Sequence, residues 1–320
     1  MSNTTSISEN EFIALYQASL IPLRVILASL VWVLHDYFVT LDDEIRYIWT
    51  QKRSFGRFMF LWVRYYTIFL LGFDTLQIHS FAIPGVATHA LCIAADPATR
   101  IVGGILLWSV EIIMQLRIYI LYNSSKKVAI FNGILFLGSI GSFLWLVIVG
   151  AIRRSSLLDS VHTLSTALPG CPVINGGTEW AQWIPATGFE GILLAFALYR
   201  AAMSVAARTR LNQRLSLTAI LINENILYFS VVCCLLIFNN LMVVGKTKIP
   251  WFGYGPFHAA VGIVTCRMLI HLRKFAVDNF ENEATNIMDT KITAGGLVFK
   301  GSRSDPESDY TEETELTTFS

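Results

Sequence analysis

Seven long apolar runs organise the chain, at residues 16–38, 58–80, 99–122, 127–150, 182–203, 220–244 and 251–272, with shorter polar stretches between them. Each is close to the ~20 residues that a helix rising ~1.5 Å per residue needs to cross a ~30 Å hydrocarbon core. No run alternates apolar and polar positions as a lipid-facing barrel strand does. In lipid every backbone N–H and C=O must find its partner inside the protein, so the runs are predicted to be helices. The expected fold is all-α and transmembrane, a seven-helix bundle.

Composition supports lipid as the solvent. Of 320 residues 54% are hydrophobic and only 15% charged, against about one quarter charged in an ordinary soluble domain. The net charge of +1 leaves no electrostatic footprint for nucleic acid. The Lys and Arg positions are unevenly shared between the connections. One set carries five: Arg100, Arg153, Arg154, Lys246 and Lys248. The other carries twelve before the distal tail is counted, among them Arg46, Lys52, Arg53, Arg57, Lys126, Lys127, Arg208, Arg210, Arg214 and Arg273. The positive-inside rule then places the amino terminus outside and the carboxyl terminus in the cytoplasm, a receptor-like topology. Residues 1–15 form an outer segment, 16–274 the membrane domain and 275–320 an acidic, Ser/Thr-rich tail expected to be disordered. No cleavable leader is expected, because residues 1–15 carry Glu9 and Glu11 and no Lys or Arg. Asn3-Thr4-Thr5 is a glycosylation sequon on the outer side. Of the five cysteines only Cys92 and Cys171 fall in outer connections, where an oxidising compartment favours a bridge between them. The alternative is two free thiols.

One polar stretch departs from the simple picture. "TLDDEIRYIW", residues 40–49, follows the first apolar run and opens the first cytoplasmic connection. Leu41, Ile45, Ile48 and Trp49 recur at helical spacing, with Asp42, Asp43 and Arg46 on the other side. The spacing predicts a short amphipathic helix on the inner membrane face, followed by basic residues that meet anionic lipid. The segment "HDYFVTLDDEIRYIW" with "RYY" at 64–66 resembles a fungal multi-pass membrane family, the domain of unknown function 6533, over about residues 30–75. Asp36, Tyr37, Leu41, Glu44, Trp49, Arg64 and Tyr65 carry the resemblance, and "LRIYILY", "GCP" and "CRMLIHLRK" extend it through later helices. It implies an architecture and membrane residence, and no activity, ligand or site.

The chemistry a membrane protein can perform is concentrated in its intramembrane polar groups, since a charge in hydrocarbon costs at least ~2.5–3.5 kcal/mol and must face the bundle interior. Asp74, Glu111, Glu190, Asn240 and His258 form an outer-to-middle layer that is a candidate ligand pocket. Arg64, Arg117, Glu224 and Arg267 lie near the inner side, with Glu44 or Asp36 as the further acid that balances three arginines. This inner layer is a candidate charge latch. Both layers have a plainer reading as hydrogen-bonding glue between helices.

Several functions are excluded or disfavoured. A retinal Schiff base needs a lysine in the last run, and 251–272 contains none. The third run ends "LRIYILY" rather than in an acidic-Arg-Tyr triplet, and the seventh lacks Asn-Pro-x-x-Tyr, so likeness to class-A receptors is architectural. His79, His89, His162 and His258, with Asp74, would be the zinc ligands of an intramembrane lipid hydrolase, but their spacing matches no metal motif. The expectation is a non-enzymatic integral protein of the plasma membrane or an endomembrane, without metal or cofactor. It is read as a receptor-like sensor of an extracellular or lumenal ligand. Its expected partners are membrane lipid and a cytoplasmic signalling protein at the first and third inner connections and the tail. The alternative is a transporter of a small solute, and the zinc hydrolase comes third.

Overall fold

The computed structural model describes the backbone over residues 9–50, 53–81, 89–161, 179–211, 217–244 and 255–298, and most side chains in those segments between 23 and 278. The described residues are almost entirely helical, without a strand. The order is α1 (Glu9–Val39), α2 (Leu41–Glu44), a π-turn (Ile45–Trp49), α3 (Phe55–Phe81), α4 (His89–Leu121), α5 (Lys126–Val161), a 3₁₀ turn (Glu179–Trp183), α6 (Ile184–Leu211), α7 (Leu217–Val243) and α8 (Gly255–Val298). Each apolar run lies almost wholly on one long helix, with residues 255–272 of the last on α8. Ser54 starts α3, its Oγ accepting from the N–H of Arg57 at 3.3 Å, the reach of an N-cap. Pro185 and Pro256 occupy the second residues of α6 and α8, where a missing N–H costs nothing.

Among the described residues three helices are long and apolar enough to cross a membrane: Ile93–Leu121, Lys126–Arg153 and Ala181–Ser204. A fourth is added if Leu23–Val39 and Leu41–Trp49, bent by 55° at Thr40, count as one span. α3 falls outside this set for a physical reason. α3 carries Arg57, Arg64 and Asp74, and the last two are buried. Their polarity is directed into protein rather than lipid.

Burial is inverted relative to a water-soluble domain. Asp36, Glu44, Arg64, Asp74, Glu111, Arg117 and Glu190 are buried, while Trp32, Phe69, Leu76, Ile120, Leu137 and Trp145 are exposed. The extreme case is α5. It contains the most apolar of the three candidate spans, yet only 17% of its window is buried, against 61% in α4. In water, an apolar helix left that open would collapse onto its neighbours; in lipid it needs no cover. The chain is an integral membrane protein by this criterion.

The long helices from α1 to α7 pack each against the next, and α4 also meets α6 and α7. α4 is fixed to α3 by Trp62 Nε1 donating to Ser109 Oγ at 2.9 Å and by the Tyr66 hydroxyl donating to the Val102 carbonyl at 2.8 Å. The first turns of α8 are buried on nearly every side, and small residues permit this. A Cβ on Gly262 would fall 2.5 Å from Thr67 Oγ1 of α3, and one on Gly103 of α4 would fall 2.7 Å from His258 Nε2. α8 therefore passes close to both α3 and α4 through glycine contacts, the membrane mode of helix packing.

Two sequence expectations change. α8 runs to Val298, so residues 275–298 are helical rather than part of a disordered tail. No proline follows Pro256 until Pro306, and no glycine follows Gly262 until Gly295, so nothing breaks the helix when its apolar pattern stops. Residues Met1–Arg273 and Lys274–Ser320 make two compact units. The second change is in the 40–49 stretch, whose buried side consists of Thr40, Glu44, Tyr47 and Ile48. The expected membrane-facing side is split: Ile48 turns into the protein, while Ile45 and Trp49 stay about half exposed. The π-turn resets the helical register, and Glu44 turns inward to an arginine.

Candidate functional site

The best-defined polar constellation lies where α1, α2, α3 and α8 meet. The bend at Thr40 begins it: the Thr40 hydroxyl donates to the Asp36 carbonyl at 2.7 Å, and the Glu44 N–H then donates to the Thr40 carbonyl at 3.0 Å. Glu44 thereby points into the bundle and is fully buried. Its Oε2 lies 2.7 Å from Arg64 Nε of α3. Its Oε1 accepts from Trp49 Nε1 at 2.9 Å. Glu44 and Trp49 are five residues apart, and the i→i+5 bonding of a π-turn, unlike an α-turn, brings such residues onto one face.

Arg64 is held on its other sides as well. Its Nη2 donates to the Tyr37 carbonyl at 2.9 Å. Its guanidinium lies 4.7 Å from the Tyr37 ring centroid and 5.6 Å from that of Phe60. Tyr37 in turn packs on Tyr65, with centroids 6.2 Å apart. A buried pair repays its desolvation only when further hydrogen bonds satisfy its partners; here the Tyr37 carbonyl accepts one from Arg64 and the Trp49 indole donates one to Glu44, with the two rings adding cation–π contact. The second ion pair joins α1 to α8: Arg267 Nε lies 2.6 Å from Asp36 Oδ1. Asp36, Tyr37, Arg64, Thr67, Gly262 and Cys266 line a small cleft between the two pairs.

The candidate latch residues are thus partly assembled. Glu44 meets Arg64, and Asp36, named with it as the further acid, meets Arg267. Arg117 is buried on α4 with Tyr228 of α7 as an electrostatic neighbour. The side chain of Glu224 lies outside the described residues. The carbonyl and ring of Tyr37 and the indole of Trp49 were not foreseen as parts of the network. The Glu44–Trp49 spacing has no α-helical meaning, so only the π-turn reveals it.

The outer-to-middle layer is different in kind. Glu111 of α4 and Glu190 of α6 are both fully buried and are electrostatic neighbours. No hydrogen bond from a described residue reaches the carboxylate oxygens of Asp74, Glu111 or Glu190. Asn240 Nδ2 donates to Thr187 Oγ1, one turn from Glu190. His258 packs its ring on Trp183 and Phe257, with centroids 6.3 and 5.2 Å apart. Glu111 and Glu190 are thus within electrostatic reach of each other, Asn240 of α7 bonds to Thr187 on the helix of Glu190, and Asp74 neighbours Tyr66 on its own helix.

A buried polar cluster that sequence reading passed over sits near this end. Arg100 is paired with Asp96 at 2.8 Å, one turn earlier on α4, and donates through Nη1 to Gln182 Oε1. The i, i+4 spacing of Asp96 and Arg100 was its available signal. Among the described residues no three His, Cys, Asp or Glu side chains are grouped as metal ligands would be. Cys92, Cys171, Asn3, His89 and His162 lie outside the described side chains. Cys233, Cys234 and Cys266 are unbridged.

No curated protein and no solved structure matches the chain. Residues 24–69 match the family described as "Family of unknown function (DUF6533)", and this similarity covers α1 from Arg24 through the first half of α3. Asp36, Tyr37, Glu44, Trp49 and Arg64, five of the residues that build the ion-pair network, fall within the matched segment, and the Arg267 of α8 completes it from outside.

Proposed function

We propose that the protein is a seven-helix, receptor-like membrane sensor, with its amino terminus outside and the α1–α3–α8 network acting as a latch on the cytoplasmic end. The observation that carries the reading is the contrast between two sets of buried charges. Those of the latch are paired at 2.6–2.7 Å. The carboxylates of Glu111 and Glu190 are buried, and no hydrogen bond from a described residue reaches them. Buried polar groups left unsatisfied mark strain or a functional role, and here they are the groups a ligand from the outer side would meet. A ligand that draws α4 and α6 together there biases the helices that hold the latch. In this reading the protein is not an enzyme and signals to a cytoplasmic partner.

Glu44→Gln weakens the latch while preserving shape, so it tests the idea. In proteoliposomes containing a heterotrimeric G protein, the variant is expected to raise basal guanine-nucleotide exchange severalfold over the unaltered chain. Equal exchange by the two proteins would reject the receptor reading. A transporter is supported instead if solute flux appears and Glu111→Gln with Glu190→Gln abolishes it.

A further inference from the structure

The outward side of α3 carries a ladder of aromatic rings. Phe58 and Trp62 stack with centroids 6.3 Å apart, Trp62 and Tyr66 follow at 5.3 Å, and Tyr66 meets Phe69 at 6.1 Å. Core aromatics are normally covered, yet Phe58 is 59% and Phe69 61% exposed. The ladder is also fixed in place, because Trp62 and Tyr66 are the residues hydrogen-bonded to α4. From Phe58 to Phe69 it rises about 17 Å, close to the depth of one leaflet of a ~30 Å hydrocarbon core.

Cationic groups gather where the ladder begins. Arg53 is exposed just before α3, and Arg57 is in its first turn. Arg273 arrives from α8: a Cβ on Gly56 would lie 3.1 Å from its Nη2. The buried acids of this end, Glu44 and Asp36, are already engaged by Arg64 and Arg267. Among the described residues neither Arg53 nor Arg273 takes part in an ion pair. Positive charge therefore remains at the foot of an exposed, rigid aromatic track, beside the exposed Phe55.

We propose that this end of α3 is the seat of one anionic membrane phospholipid, its phosphate headgroup between Arg53 and Arg273 and an acyl chain laid along Phe58, Trp62, Tyr66 and Phe69. The inference rests on the membrane reading above and adds a lipid class and a place. Charge complementarity selects an anionic headgroup, since a basic residue near an anionic surface contributes about fivefold in affinity. The aromatic track selects a lipid over a soluble phosphate. Arg273 joins the end of the membrane-embedded part of α8 to the start of α3, so the bound headgroup would brace the two helices beside the latch.

The test uses the full chain in nanodiscs of phosphatidylcholine containing a minor share of phosphatidylinositol 4-phosphate, with retained lipid read by native mass spectrometry. The double variant Arg53→Ala/Arg273→Ala is expected to lose the anionic-lipid adduct by about thirtyfold. Phe58→Ala/Phe69→Ala should weaken the same adduct, and Arg153→Ala, at the opposite end of the molecule, should not. Arg53→Lys/Arg273→Lys should retain most of it, which separates charge from folding. Persistence of the adduct in the arginine-to-alanine variant would overturn the proposal. So would full displacement by soluble inositol 1,4-bisphosphate, or a lipid-free dimer that the ladder variant dissociates. Phosphatidylcholine adducts retained by every variant would show the membrane shell intact, so failure here leaves the sensor reading to its own test.

Discussion

At the scale of single residues, the ion pairs at the α1–α3–α8 junction are set apart by burial. Glu44 and Arg64 are 0% and 4% exposed, so removing either leaves an uncompensated buried charge. Breaking such a pair costs ~3–5 kcal/mol. Glu44→Ala should accordingly lower the melting temperature in detergent markedly, while Asp43→Ala, on the partly exposed side of α2, should stay within about 0.5 kcal/mol. Equal small losses for both would show that the buried contact contributes little. The second pair is lopsided. The Arg267 side chain is 56% exposed and that of Asp36 only 7%. Taking away the arginine strands a buried carboxylate, whereas taking away the charge on Asp36 leaves an arginine that water and headgroups solvate. Arg267→Ala should therefore destabilise more than Asp36→Asn in the same thermal assay, and the reverse order would refute this account of the pair.

Among the helices, close approach rather than apolar character sets the packing of α8. Gly262 and Gly103 bring its first turns against α3 and α4, with no room for a methyl group. Gly262→Ala is expected to cost ~1–3 kcal/mol by overpacking against Thr67. Gly141→Ala on α5 has nothing within 4 Å of its new Cβ and should be neutral or stabilising by up to ~1 kcal/mol. Thermal unfolding of the two variants checks the contrast, and a similar response at both positions would mean that α8 does not approach α3 as described. The π-turn after α2 belongs to this scale too. It exchanges α-helical register for the Glu44–Trp49 contact, and such single π-turns within helices occur frequently at functional sites.

For the whole molecule, the inversion of polarity is the organising fact. Lipid replaces water around α5, so the exposed Trp145 and Ile148 become the natural outer surface, while Leu106 and Val110 of α4 are sealed inside. A membrane-soluble photoactivatable carbene reagent, read by peptide mass spectrometry, is expected to label the α5 residues several times more heavily than those of α4. Comparable labelling of both would show that α5 is covered by protein. The charged residues obey the same logic from the other side. Arg100, Asp96 and Gln182 are gathered near one end and Glu44, Arg64, Asp36 and Arg267 near the other, each set internally paired.

The amino-acid sequence by itself determined the helical character and the solvent. Apolar runs of the length of a bilayer, and the low share of charged residues, are local properties that do not depend on which helix meets which. The same is true of the polar residues inside the runs: Arg64, Glu111, Glu190 and Arg267 stood out because their burial in lipid needs a reason, and Glu44 stood out at the membrane edge as an acid to balance the arginines. Their partners were not legible, since pairing is a long-range choice made when helices dock. Arg64 takes Glu44 because the Thr40 bend turns the acid inward, and Arg267 takes Asp36 because glycine contacts draw α8 against its neighbours. The inward turn of Ile48 away from Ile45 and Trp49 was not legible for a related reason: periodicity assumes 3.6 residues per turn, and the π-turn departs from it. Only the tertiary structure decided that the most apolar of the candidate spans lies in the least covered helix, because hydropathy measures the preference to leave water and lipid meets that preference as well as protein does.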